Sequence, residues 1–459
     1  MTDAQTEPAP HGNAAPTEET APAGSAGEAD LTGAAAPIKL PESGAEKDGG
    51  GKNGKNGAET GDGLIREIMT GSGLVSLLAV VVALLIGAIL IAVTDSRVAA
   101  AAGYFFAQPG DTFAAMWAAV SEAYGALLRG ATYDPNARTW LGQLGIFETL
   151  TFATPLILAG LAVTIAFRAG LFNIGAQGQI ILGAIFAGAI GFGIELPPGI
   201  HLLAVIVGGA VGGAIWGGIA GFLKARTGAH EVIVTIMLNY IAVNLVLYLL
   251  KNQLKDPGSS NPVSPPMHQS ALFPLLLGPN FRLHAGFILS VLAVIAVAWL
   301  LNRSTLGFEF RAIGANPNAA RTAGMVVTRG YILVMLISGA LSGLAGVAQI
   351  SGTERSLDAE VAGNIGFDAI TVALLGRSTP WGTFFAALLF GAFKAGGTSM
   401  AVNADVSIDI VLVVQSLIVL FIAAPPLVRA IFRIKSGPGK TKPAKNTSIV
   451  TKSTGGAAV

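Results

Sequence analysis

The chain is 459 residues long, 52% hydrophobic and only 12% charged, with 60 Gly and no Cys. A soluble chain carries roughly twice that share of charge, so the composition, with a mean hydropathy of +0.63, points to a polytopic membrane protein rich in small residues. The missing thiols exclude disulfides, thiolate chemistry and Cys-ligated metal, and a net charge of +1 carries no signal for nucleic acid, so no nucleic-acid partner is expected.

Residues 1–63 are rich in Ala, Gly, Pro, Thr and Glu, contain a GGGKNGKNG tract and have no apolar periodicity. Such a segment cannot bury enough surface to offset its ordering entropy, and it reads as a disordered tail. No apolar run follows a basic start within it, so it is not read as a secretory signal. Arg66 precedes the first span, Leu74 to Val93, which at about 1.5 Å per residue covers the roughly 30 Å hydrocarbon core. In the segment 95–147, Asp111 and Thr112 precede Phe113, Met116, Trp117, Val120, Tyr124, Leu127 and Leu128. That spacing predicts a capped amphipathic helix on the outer membrane surface or against the bundle.

The second span runs from Glu148 to Phe167 and is closed by Arg168. After RAGLFNIGAQGQ, a third apolar run reaches Ile194, Pro197 to Gly199 break it, and a fourth runs from His201 to Leu223. Gly209, Gly213, Gly217 and Gly221 recur there every four residues, which strips one helix face and predicts close packing on a neighbour. Lys224 and Arg226 follow, then a fifth span, HEVIVTIMLNYIAVNLVLYLL. Lys251 to Ala285 is a Pro-, Ser- and Asn-rich loop outside the membrane. The sixth span is Gly286 to Leu301, and the seventh is Tyr331 to Ile350. Glu354, Arg355, Asp358 and Glu360 occupy the next loop.

Gly366 to Gly376 and Thr383 to Phe393 are each about a dozen residues, too short to cross unless their flanks join them, so broken or short helices are expected around 364–396. The last span is Ile408 to Ala424, ended by Pro425 and Pro426, with Arg429, Arg433 and Lys435 beyond it and a second disordered tail over 436–459. The fold class is therefore an all-α polytopic membrane protein of about ten transmembrane helices, with a transmembrane domain over 64–435. Trp140, Trp299 and Trp381 fall near span ends, where aromatic side chains favour the interface.

With the N-terminus inside, the inner loops receive Arg168, Lys224, Arg226, Arg303, Arg311, Arg321, Arg329 and Arg377, whereas Arg97, Arg129, Arg138, Lys251, Lys255, Arg282 and Arg355 lie outside, mostly mixed with acids. The positive-inside rule places both termini and the polar segment 303–330 in the cytoplasm. Within that segment Asn316 caps a short helix that starts at Pro317, runs through Asn318, Ala319, Ala320 and Arg321, and ends at Gly324. A helix this short and polar is not stable alone, so it is expected to dock, as a handle gripped by another protein.

Ser436 to Lys442, SGPGKTK, contains a GKT, but the P-loop spacing requires Gly where Ile434 stands and no strand precedes it. ATP-driven work would therefore come from a partner. Thr235, Asn239 and Asn244 in the fifth span are costly in lipid and should face the bundle interior, as substrate-pathway groups or as interhelical hydrogen-bond partners. Asn173, Gln177 and Gln179 lie in a Gly-interrupted stretch that would have to line protein or a cavity. Asp368 is the carboxylate a proton-coupled carrier would use, although its place in a first helical turn also suits the helix dipole, as does that of Asp409. His201, His230 and His284 stand at span borders and read as interface markers. No catalytic or metal-ligating constellation emerges.

The stretches FRAGLFNIGAQGQ, HEVIVTIMLNYIA, GANPNAARTAG and GFDAITVALLGRSTPWGTFFAALLFGAFKAGG closely resemble the signatures of bacterial ABC importer permeases for nucleosides and simple sugars, across about residues 64–435. The resemblance implies a fold similar to the ribose and branched-chain amino acid permeases, in the bacterial plasma membrane. Its implied partners are a second permease subunit forming a heterodimer, two ATP-binding subunits that use ATP and Mg, and an extracytoplasmic substrate-binding protein. This chain itself would hold no cofactor. It also implies coupling roles for Asn316 to Arg321 and Gly324. Two positions depart from the pattern: Asn318 replaces the acid of the Glu-Ala-Ala loop signature, and Gln177 stands where Glu is common. The competing class is an ion-gradient-driven secondary transporter, for which Asp368 is the main argument and the scarcity of other intramembrane ionisable groups the weakness.

Overall fold

The computed structural model describes residues 72–133, 144–404 and 406–423. The two expected tails, Arg66, Arg138, Trp140, the GKT segment and the basic stretch 429–435 lie outside the described residues.

Apolar runs of the right length become helices because the backbone can satisfy its own polar groups in no other open form across a bilayer. They are α1 (Ser72–Thr94), α2 (Ser96–Ala102), α3 (Pro109–Ala131), α4 (Ile146–Arg168), α5 (Ala176–Gly193), α6 (Ile200–Thr227) and α7 (Glu231–Lys251). The second half holds α8 (Gly286–Arg303), α9 (Thr305–Ala315), α10 (Pro317–Thr322), α11 (Val327–Ala348), α12 (Ile365–Leu375), α13 (Pro380–Asn403) and α14 (Ile408–Ala423). A π-helical turn, Gln349–Glu354, prolongs α11. Among the described residues no strand forms beyond an isolated bridge between Leu275 and His284.

Seven of these helices are long and apolar enough to cross a membrane, or eight if α1 and α2, bent by 70° at Asp95, count as one. This count covers the described residues and fits the expected polytopic α-helical chain: of the remaining expected spans, α12 is the short helix anticipated around 364–396, and α14 is described only as far as residue 423. Thr383 to Phe393 is not a short helix: its C-terminal flank continues as KAGGTSMAVN, giving α13 its 24 residues. α12 stays at 11 residues because Gly376 and the Thr379-Pro380 pair stop it.

The bundle has two ends. At the loop end, α4 begins beside the 252–285 loop, with Phe147 packed edge-on to Phe281 at 5.7 Å between ring centroids. At the handle end, α4 finishes where Arg168 and Gly170 press on Gly314 of α9. α11 runs the opposite way. The stripe predicted on α6 packs on α11: a Cβ on Gly213 would overlap the Gly339 carbonyl, one on Gly217 the Met335 carbonyl, and one on Gly343 the Gly209 carbonyl. With no hydrophobic drive between helices in lipid, backbone contact of this kind supplies dispersion energy that larger side chains would forbid.

α3 lies against the bundle chiefly by its alanine face and Leu127, with the aromatic part of its apolar stripe turned away. Ala119, Ala123, Ala126 and Leu127 are buried, and Gly396 of α13 approaches the Leu127 carbonyl, whereas Trp117 is 76% exposed. The small face wins because α13 can come close to it. Phe113, Met116, Trp117 and Val120 instead line a groove shared with α1. The helix also starts earlier than predicted, at Pro109, with Asp111 in its first turn.

Two histidines read as interface markers are packing residues. His201 is fully buried, its Nδ1 2.7 Å from Ser270 Oγ and its Nε2 3.1 Å from the Ile190 carbonyl. His284, also buried, accepts a hydrogen bond from the Gly286 N–H at 3.2 Å and stacks on Phe273 with ring centroids 5.5 Å apart. Burial, with Arg282 nearby, pushes the His284 pKa down from 6.5 to about 4. The unfolded chain then binds the proton first as pH falls, so stability should be full above about pH 6.5 and drain away towards pH 4, by about 2 kcal/mol at pH 5. Thermal unfolding of purified protein between pH 7.5 and 5 checks this, and H284Q should flatten that part of the profile.

Candidate functional site

Two of the long helices break and re-enter the bundle. After α4, the chain turns at Gly170, whose φ of +72° suits only glycine, and residues 171–175 climb back into the protein. Asn173 holds that ascent. Its amide donates to Gln179 Oε1 at 3.0 Å and Ser338 Oγ at 2.8 Å, while its Oδ1 accepts from the Gly175 N–H and from Gln179 Nε2. Asn239 of α7 braces it from the other side, accepting from the Gly178 N–H at 2.9 Å and donating to the Ile174 carbonyl at 3.0 Å. The Thr235 hydroxyl bonds back to the Glu231 carbonyl, and its Cβ packs against Gly175. Asn173 and Asn239 satisfy the irregular backbone directly, Gln179 holds the Asn173 amide in place, and Thr235 packs against Gly175; all four are buried in the protein.

The second break follows α11. Arg355, at φ +64°, ends the π-helical turn, residues 355–364 descend from the loop end, and α12 then runs to the handle end, where Arg168 Nε donates to the Ser378 carbonyl at 2.6 Å. Gln177 joins the two breaks. From the first turn of α5 its amide donates to the Gly363 carbonyl and its Oε1 accepts from the Gly366 N–H at 2.9 Å. Beside this junction lies a cavity of about 360 Å³, lined by Gln177, Ile181, Val243, Glu360, Gly363 and Asn364 among others. Glu360 and Asn364 are exposed in it. Burial and the neighbouring Glu360 push Asp358 upward from its ordinary pKa. Of the predicted pathway residues, Gln177 alone lines this vestibule.

Asn244 is a correction. It does not face the interior: Ala242 and Val246 do, and Asn244 is exposed on the side of α7 that presents Met237, Tyr240, Ile241 and Tyr248, its amide bonded to the Tyr240 carbonyl of its own helix at 2.8 Å. Helical phase decides this, because five residues separate it from the inward Asn239 and half a turn separates their faces. Asp368 is ion-paired with Lys394 of α13 at 2.8 Å. A pair of this kind needs no proton cargo to explain it.

At the handle end, Asn316 Oδ1 accepts from the Asn318 and Ala319 N–H groups at 3.0 and 3.1 Å, Pro317 is the first helical residue, and Gly324 takes φ +85°. Ala320 is buried with Ile313 and Val327, so α10 docks on its own chain by one side. Asn318, Ala319 and Arg321 face outward. An eleven-residue helix, α9, precedes it, making the segment two helices where one was expected.

Lys394 and Asn364 went unnoticed in the sequence, and Glu360 was placed only in a loop, yet a signal existed. Asn-Ile-Gly occurs at Asn173 to Gly175 and again at Asn364 to Gly366, each at the head of a helix that follows a break. Pro-x-Gly recurs at Pro197 to Gly199 and Pro380 to Gly382, at the starts of α6 and α13. α6 packs on α11 as α13 packs on α4, and since α4 and α11 run oppositely, the two halves form an inverted repeat with the vestibule at their junction. Sites in transporters fall at such junctions because broken helices expose backbone there.

A helical, multi-spanning bundle with broken helices meeting at a polar vestibule, and a docked helix presented at one end, defines a transport subunit of the membrane. A family model described as the permease component of the branched-chain amino acid transport system matches residues 145–423, and the chain belongs to that family. It is 40% identical to the guanosine ABC transporter permease protein NupP of Bacillus subtilis over 299 residues, 63% of this chain and 85% of that one. It is 36% identical to the glucose ABC transporter permease protein TsgB13 of Haloferax volcanii over 293 residues, 62% and 77% of the two chains. It is 37% identical to the nucleoside ABC transporter permease protein NupB of Lactococcus lactis over 289 residues, 61% and 79%. The chain is a permease subunit of an ABC importer.

Proposed function

We propose that this subunit imports nucleosides, with simple sugars the second class, by supplying half of a translocation pathway. The observation that carries the reading is the vestibule: a polar cavity opens on one side of a single subunit, where Gln177, Glu360 and Asn364 would be costly if left to lipid. A second permease subunit completes it, and the exposed Asn244 on α7 favours a protein-covered or wet face there as well. The pairing draws support from the two guanosine permease proteins of Bacillus subtilis, NupP and NupQ.

In this reading the handle end is cytoplasmic, with both termini, and the loop end meets a substrate-binding protein outside. ATP and Mg are held by two partner ATPases that grip α10, and this chain has no nucleotide site of its own. Coupling is reciprocal, so delivery of substrate should raise ATPase activity as ATP drives uptake. The assembled transporter in proteoliposomes should take up radiolabelled nucleosides ahead of sugars and amino acids, only with ATP inside. Uptake by the purified chain alone under a proton gradient would sink the reading.

A further inference from the structure

We propose that residues 264–273 form a strap that sets the position of the re-entrant segment 355–364, and that Ser264 is its positioning residue. The strap lies at the loop end, remote in sequence from both breaks, yet it is laced to the second one. The Ser264 N–H donates to the Leu357 carbonyl at 2.9 Å, and the Leu357 N–H donates back to Ser264 Oγ at 2.8 Å. The same hydroxyl donates to the Pro265 carbonyl at 2.9 Å, so its proton and its acceptor capacity are both used. Further along, the Met267 N–H donates to the Arg355 carbonyl at 2.8 Å and the Phe273 N–H to the Ser351 carbonyl at 3.1 Å. On its other side, the His268 N–H donates to the Gly191 carbonyl at 2.9 Å, at the far end of α5.

Residues 355–364 belong to no α-helix, so little of their own structure fixes them. They are tied at one end by Ser264 and Met267 and at the other by Gln177 through Gly363. Leu357 is fully buried and Ser264 nearly so. Loss of the hydroxyl therefore leaves the Leu357 N–H without its acceptor inside the protein, and the least costly relief is for the segment to move towards water. That movement widens the vestibule between Gln177 and Asn364. Anything that pulls the strap from the loop end acts on the pathway by the same route.

The inference rests on the vestibule being part of the pathway, and one experiment separates the two claims. The chain has no Cys, so N364C introduces its sole thiol, and the rate at which this chain reacts with a small charged thiosulfonate, read on the separated subunit, reports access to the vestibule in the assembled transporter. Adding S264A should speed that reaction roughly fivefold, the equivalent of one hydrogen bond, and S264T, which keeps the hydroxyl, should restore the slow rate. A162C, at a buried position in α4, should stay unreactive in the S264A background, so general loosening is recognised. An unchanged rate in S264A, no rescue by S264T, or labelling of A162C as well overturns the strap. Guanosine or glucose delivered by the binding protein should slow labelling of N364C. If S264A accelerates labelling and neither solute protects, the strap stands and the pathway reading falls.

Discussion

Replacing Asn318 to Gly324 with a Gly/Ser segment of equal length is expected to abolish substrate stimulation of the partner ATPases while the protein still inserts. Asn316 and Pro317 would remain, but the segment loses Ala320, the anchor that packs with Ile313 and Val327, and gains residues that each cost a helix about 0.5–1 kcal/mol relative to Ala. A six-residue helix has no reserve against that loss. The outward residues Asn318, Ala319 and Arg321 would then present no fixed surface to a partner. Coupling between sites is commonly worth about 1–3 kcal/mol, a factor of about 5–150, and a disordered handle transmits none of it. ATPase rates of the reconstituted complex, with and without substrate-loaded binding protein, give the measurement. Stimulation that survives the replacement would remove the coupling role. N318E, which places an acid in the first turn where the helix dipole favours it, should keep stimulation intact.

The second large effect is expected at Lys394. Its ammonium and the Asp368 carboxylate are only 22% and 21% exposed, inside a bundle with few other charges. K394M leaves an unpaired carboxylate there, a loss of about 3 kcal/mol that should appear as a lower thermal midpoint and reduced uptake. Removing the charge on both sides with D368N and K394M together should recover most of the stability, because a buried pair often adds little beyond what its neutral replacement supplies. The pairing also bears on mechanism. If Asp368 carried protons, D368N in the K394M background would recover stability but not uptake; recovery of both marks the pair as structural.

Much of this was legible in the residues alone. Runs of apolar residues longer than the hydrocarbon core is thick have one stable form, so α4, α6, α7 and α8 lie within a few residues of their predicted bounds. The Gly209 to Gly221 stripe and the Asn316-Pro317 start are local signals; the start is realised within its own helix and the stripe in the close packing it predicted, here on α11. Less legible was anything that depends on who packs where. The stripe of α3 had the right period, but whether its aromatic or its alanine face meets the protein depends on how near α13 can come. Asn239 and Asn244 are the same residue type in one helix, and their phase against α5 sends one inward and the other outward.

An all-α membrane chain, span ends near Arg168 and Ile350, a capped helix in the polar segment and the likeness to a permease family can all be read from the residues in order. Those follow from length, from where Gly and Pro interrupt a span, and from side-chain capping, all of which act over a few residues. That Gln177 ties one break to the other, that Lys394 answers Asp368 and that Ser264 reaches Leu357 across the loop end could be seen only once the helices were packed. These contacts join residues far apart in the chain, and they exist because irregular backbone and charge held inside a bilayer protein must find partners wherever the packed helices bring them.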